Sequence, residues 1–182
     1  MPRDVGRVPM DEPLAFFLTW TTYGTWLPGD ERGGVDKPGR EREVNDWLRG
    51  IAEVRMTERA FIMDISQRRI VEETIREHCR IRNWHLHAVS ARSNHVHVVV
   101  TAAGRDPDEV MKQFKAWCTR KLKDHDHARG VSDDELRENW WTQRGSRRWL
   151  NDEVSLSAAI AYVAEGQGDP TPAYDADENP QA

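Results

Sequence analysis

Apolar positions recur along this chain with two periods, and the switches between them mark its elements. The run Leu14–Thr22, LAFFLTWTT, is dense in aromatic and β-favouring residues and predicts a strand. The next stretch, YGTWLPGDERGGVDKPG, is punctuated by Gly and Pro and predicts a long loop. Loops of that length are usually functional or disordered. From Thr57 to Arg80 the period is helical, with Ile62, Ile65, Ile70, Val71 and Ile75 as expected core positions. At Trp84 the period drops to two. Trp84–Arg92, a Ser93-Asn94 turn and His95–Thr101 predict a β-hairpin. Asp106 as N-cap, Pro107 at the first helical position and Glu109 at the capping-box position open the next helix. It is expected to run to Lys123, with Val110, Phe114, Trp117 and Leu122 in the core. Arg147–Leu150 reads as a short strand. Asn151 or Asp152 then caps a last helix, Glu153–Glu165, which ends at Gly166.

The order β, α, ββ, α, β, α predicts an α+β sandwich of ferredoxin-like type, with helices on one face of a mainly antiparallel sheet. A length of 182 residues suits one domain, large enough to bury a core without disulfides or metal staples. That domain is expected to span 14–168. Residues 1–13 read as a loose lead-in, and residues 169–182, DPTPAYDADENPQA, as a disordered acidic tail.

Composition sharpens this picture in two places. At 38% hydrophobic and 31% charged residues the chain reads as soluble and polar, and no apolar run approaches the roughly 20 residues of a membrane span. The N-terminus lacks the apolar stretch of a signal peptide, and Cys79 and Cys118 form no CxxC pair, which points to a reducing, cytoplasmic setting. The net charge of -5 is unevenly spread: residues 1–130 hold 22 Lys and Arg against 20 Asp and Glu, and residues 131–182 hold 4 against 11. The acid gathers at the C-terminal end, so the overall sign does not exclude a nucleic-acid partner.

The candidate chemistry begins at His95-Val96-His97. Residues two apart on a strand share a face, so the two imidazoles are placed either to chelate one divalent cation or to stand as ordinary polar groups. A second pair, His85 and His87, lies on the partner strand and reads as structural or as support for the first. If all four faced one way, a zinc site and a metal-dependent hydrolase would be possible. Tyr162 falls at the edge of the last helix's apolar stripe of Leu156, Ala159, Ile160 and Val163, where its hydroxyl can reach a cleft or its ring can simply pack. Glu165 lies one turn on, and Gln167 just past the helix end. Each is either an oxygen donor for a metal or a plain helix-end residue. Lys112, Lys115, Arg120 and Lys121 lie on the helix after the hairpin. Arg144, Arg147 and Arg148 lie beside Trp141 and Trp149. Basic residues among aromatics suit backbone contact and base stacking on single-stranded nucleic acid, and equally suit a solvated face over a Trp-rich core.

The hairpin with Asn94-His95-Val96-His97-Val98-Val99-Val100, the basic helix after it and a terminal helix with a lone Tyr resemble the HUH single-tyrosine transposases. Within them the chain is similar to the REP-associated tyrosine transposases. Trp20–Gly29, WTTYGTWLPG, resembles the first strand and loop of one bacterial branch. The resemblance spans about Leu14 to Gln167. It implies an RRM-like form of the fold and a site in which His95 and His97 hold Mg2+ or Mn2+. It also implies that Tyr162 attacks single-stranded or hairpin DNA to form a 5′-phosphotyrosine. Relatives often place Asn or Gln four residues after the tyrosine. That position is Gly166 here, so Gln167 or Glu165 is left as third ligand. A monomer or homodimer without a membrane partner is expected. The alternative is a domesticated, non-catalytic nucleic-acid-binding protein of the same fold.

Overall fold

The elements follow the chain as β1 (Ala15–Thr21), α1 (Asp46–Val54), α2 (Ile65–Arg82), β2 (His85–Ala91), β3 (His95–Thr101), α3 (Pro107–Ala128), β4 (Ser146–Leu150) and α4 (Glu153–Glu165). They come from a computed structural model that describes residues 12–26 and 46–165. The strands form one sheet in the order β2-β3-β1-β4, with every pairing antiparallel. This is the α+β architecture that the element order predicted. The lead-in before Glu12, most of the Gly/Pro-rich loop and the acidic tail lie outside the described residues.

Alternation along the strands sorts the core into two layers. Phe16, Leu18 and Trp20 of β1 and Val96, Val98 and Val100 of β3 face α2 and α3. There they meet Val71 and Ile75 of α2 and Val110, Phe114 and Leu122 of α3. The intervening residues Ala15 and Val99 point to the opposite face, where Leu156, Ala159 and Val163 of α4 cover them. Each fully buried Val or Leu stabilises by roughly 1.5–3 kcal/mol, so even this small second layer holds α4 in place. The two long helices thus share one face as expected, and α4 alone lies across the other.

The long helix begins later than the 3.6-residue pattern predicted. Thr57–Asp64 is not helical. Phe61 N–H donates to the Tyr23 carbonyl at 2.8 Å and Met63 N–H to the Ser93 carbonyl at 2.7 Å. Phe61 and Met63 are buried by this path and Ile62 is exposed. Asp64 then starts α2 with a full capping box: it accepts from Gln67 N–H at 2.9 Å, and the Gln67 side chain accepts from Asp64 N–H at 3.0 Å. Ile65 is exposed in the first turn, so neither Ile62 nor Ile65 is core. α1 was not anticipated. On α3 the buried line runs through 110, 114, 118 and 122, with Met111 beside it. Trp117 falls on its margin and is exposed, not in the core.

The TTYGT segment anchors the base of the hairpin. Thr22 N–H donates to the Asn94 carbonyl at 2.9 Å, and the Thr22 and Thr25 hydroxyls donate to the same oxygen. Gly24 has φ +71°, and a Cβ there would sit 2.3 Å from Met56 Cε and 3.0 Å from Ala60 Cα. Only glycine permits both that conformation and that approach.

Candidate active site

On β3, His95, His97 and Val99 share one face, the face that α4 covers. The two imidazole centroids lie 4.6 Å apart. His97 is buried, opposite Thr19 in the register, with Nδ1 2.8 Å from Thr19 Oγ1. Its Nε2 is buried with no hydrogen-bond partner among the described residues. His95 Nδ1 lies 2.7 Å from Asn94 Oδ1. That oxygen only accepts, so in the neutral ring Nδ1 carries the hydrogen and Nε2 the lone pair. Burial pushes His97 down to about 4, with His95 and Arg92 adding in the same direction. The ring is therefore neutral near pH 7, the state in which imidazole binds a metal.

Tyr162 reaches the same spot from α4. Its ring centroid lies 5.6 Å from that of His97 and 5.9 Å from that of Phe17, edge-on to both. Phe17 in turn lies 5.6 Å from His97. The three rings form a closed set that holds the tyrosine beside the buried imidazole while leaving it 43% exposed. The helix is placed for this by Asp152, whose Oδ1 accepts from Ser155 N–H at 2.8 Å, and by the stripe of Leu156, Ala159 and Val163. Of the other tyrosines, Tyr23 accepts a hydrogen bond from Thr57 N–H at 3.1 Å, away from the histidines. Tyr174 lies outside the described residues.

Glu165 is exposed at the end of α4. Among the described residues no three His, Cys, Asp or Glu side chains gather into a cation-holding group, so Glu165 does not join the two histidines. Gln167 lies outside the described residues. His85 and His87 occupy the same sheet face but stand opposite or beside Thr101, at the other end of β3. Four residues of strand separate Thr101 from His97, roughly 13 Å at ~3.3 Å per residue. The four histidines therefore form two pairs and no common centre.

The basic residues divide between the faces. Lys112, Lys115, Arg144 and Arg147, with Asp108 and Glu109, line a cleft of about 510 Å³ on the α3 side of the sheet. Arg147 pairs with Asp108 at 3.1 Å. Lys115 Nζ donates to the carbonyls of Thr142 at 2.8 Å and Arg144 at 3.2 Å, and burial lowers it to about 8. Its ammonium pins the 142–144 segment to α3. Arg120 leans over the exposed Trp117 ring at 5.6 Å, and Lys121 is exposed one residue on. Arg148 stands opposite Phe17 in the register, on the histidine face, one residue out of phase with Arg147.

Residues 54–165, well over half of the chain, match a family described as "Transposase IS200 like". The chain belongs to the IS200-like transposase family. That places it among DNA-processing enzymes. Two solved structures are similar to this family member at 13% identity each. One is a REP-associated tyrosine transposase bound to a REP hairpin, with a TM-score of 0.44 over 89% of this chain and 70% of that one. The other, described as a candidate transposase from Deinococcus radiodurans R1, has a TM-score of 0.42 over 93% of this chain and 100% of that one. No curated protein matches this IS200-like transposase. No described helix is long and apolar enough to cross a membrane.

Two site residues of this transposase were not singled out from the sequence. Phe17 and Thr19 sit in β1, and only the β1–β3 register brings them to His97. One signal was present. LAFFL is apolar at both odd and even positions, which is the mark of a strand covered on both faces, so something had to pack on the histidine side.

Proposed function

We propose that this chain nicks and rejoins single-stranded, hairpin-bearing DNA through a 5′-phosphotyrosine at Tyr162, with His95 and His97 holding Mg2+ or Mn2+. One observation carries the reading: the Tyr162 ring lies 5.6 Å from His97, whose Nε2 is buried and has no hydrogen-bond partner among the described residues. An orphaned buried nitrogen is costly unless something binds it. Two neutral imidazoles on one strand face fit a divalent cation, and two nitrogen donors suit Mn2+ better than the oxygen-preferring Mg2+. Bound there, the ion would supply positive charge to the scissile phosphate. Gln167 would add an oxygen donor.

The remaining steps belong to the side chains. Phe17 and His97 hold the phenol edge-on, so its oxygen is presented to substrate from one direction. Attack forms a bond from the tyrosine oxygen to phosphorus and breaks the bond from phosphorus to the 3′-oxygen, which leaves as a hydroxyl. One ester replaces another, so a later 3′-hydroxyl can reverse the step and rejoin the strand. Arg148 faces the DNA at the reacting end. Lys112, Arg120, Lys121, Arg144 and Arg147 hold backbone phosphates on the α3 side, with Lys115 shaping that cleft. The test is a denaturing gel of the full chain with labelled hairpin DNA and Mn2+. A covalent adduct is expected, and its loss in Tyr162→Phe assigns the nucleophile. An adduct that persists in Tyr162→Phe and disappears in Tyr23→Phe would overturn the assignment, and binding without any adduct would favour a purely DNA-binding role.

A further inference from the structure

The histidines at the other end of the sheet are set up as carefully as the first pair. The β2–β3 register slips between Leu86 and Ala88, which pair with the adjacent residues Val100 and Val99. His87 is thus the extra residue of a β-bulge. Two residues on from His85, it lies on the same face by ordinary alternation. On that face, the one α4 covers, its Nε2 lies 2.8 Å from Thr101 Oγ1, and the bulge brings Ala88 to the same side. The two imidazole centroids are 4.5 Å apart, against 4.6 Å for His95 and His97.

The hydrogen-bond chain fixes the tautomer. The Thr101 hydroxyl donates its one hydrogen to the Leu14 carbonyl. Thr101 can therefore only accept from His87, so Nε2 carries the hydrogen and Nδ1 the lone pair. An imidazole that donates through one nitrogen to a fixed oxygen and presents the other is the arrangement of a metal ligand with its supporting partner. Glu153, the first residue of α4, lies within electrostatic reach: its carboxylate opposes the lowering of His87 caused by burial and by His85.

We infer that His85 and His87 form a second, separate binding site for a transition-metal divalent cation of the Zn2+ or Ni2+ kind. His87 binds through Nδ1, His85 supplies the second imidazole, and water fills the remaining positions. Imidazole donors select Zn2+, Ni2+ and Cu2+ over Mg2+, so this site takes a different ion from the one proposed for cleavage. The inference does not depend on the proposed reaction.

The experiment is calorimetric titration of the folded full-length chain with Zn2+ and with Ni2+, starting from a His95→Ala/His97→Ala variant to silence the first pair. One equivalent is expected to remain, with a rise in melting temperature that grows with metal concentration. Adding His85→Ala, an exposed position chosen to spare the fold, should weaken binding by about tenfold or more. Thr101→Val, which removes the orienting hydroxyl, should weaken it by a smaller factor. Mg2+ should give no heat at this site. With 15N-labelled chain, Zn2+ should shift Nδ1 of His87 and leave Nε2 protonated. Absence of binding in the His95/His97 variant would overturn the inference. So would binding that survives His85→Ala and disappears instead with His127→Ala, since His127 and Asp133 form another pair at 3.3 Å.

Discussion

Two histidine pairs occupy the same face of the same sheet with nearly equal ring spacing, and their surroundings differ. His95 and His97 stand on a regular strand, with His97 buried under Phe17 and beside Tyr162. His85 and His87 stand on a bulged edge strand, closer to solvent, with Thr101 and the start of α4 as neighbours. One pair has a tyrosine within ring contact, and the other has none among the described residues. A shared motif therefore does not carry a shared role. What α4 places over each pair decides the chemistry: a phenol at its C-terminal end and a carboxylate at its N-terminal end.

The sharpest way to break this contrast is to remove the tyrosine hydroxyl. Tyr162→Phe should abolish the covalent adduct on a denaturing gel while leaving the melting temperature and DNA binding close to wild type, because the ring contacts with Phe17 and His97 survive. Next come the imidazoles themselves. His97→Ala should lower Mn2+-dependent cleavage by roughly a thousandfold or more, whereas His85→Ala should leave it within about twofold. Equal losses would mean that the two pairs act as one centre.

The hydroxyls that orient the rings give a finer comparison. Thr19→Val should reduce the cleavage rate by about 10–100-fold through the loss of the His97 Nδ1 contact. Thr101→Val should not affect cleavage. Acid offers a separate probe. His97 in the folded state titrates at about 4, below the ~6.5 of an unfolded histidine. Between those values the unfolded chain binds the extra proton, so stability is full above pH 6.5 and falls as pH drops through that window. The loss should approach roughly 3 kcal/mol by pH 4 in denaturant melts, and His97→Asn should remove that part of the slope. His87 is displaced in the same direction, chiefly by burial. The smallest effects concern the DNA backbone. Affinity for single strands should fall by about 0.7 log units per phosphate contact per decade of salt. Arg148→Ala and Arg144→Ala should each flatten that slope by about one contact, and a salt-independent affinity would remove the charged residues from the interface.

Much of this protein was readable as a line of residues because local physics governs it. Period-two alternation defined the hairpin and put His95 and His97 on one face. Asp106 and Pro107 marked the start of α3, and the Leu156, Ala159, Val163 stripe placed Tyr162 at the edge of a packed helix. The start of α2 was not readable, because backbone bonds from Phe61 and Met63 to Tyr23 and Ser93 outcompete a helical turn there. Nor was the separation of the two histidine pairs, since only the β2–β3 register sets His85 opposite Thr101, at the far end of β3 from His97. The same holds for the partition of Arg147 and Arg148 to opposite faces, which awaited the β1–β4 register. Pattern along a chain reports which side of an element is apolar. Which distant element covers that side is set by packing between residues far apart in sequence, and that packing alone brought Phe17, Thr19, His97 and Tyr162 to one point.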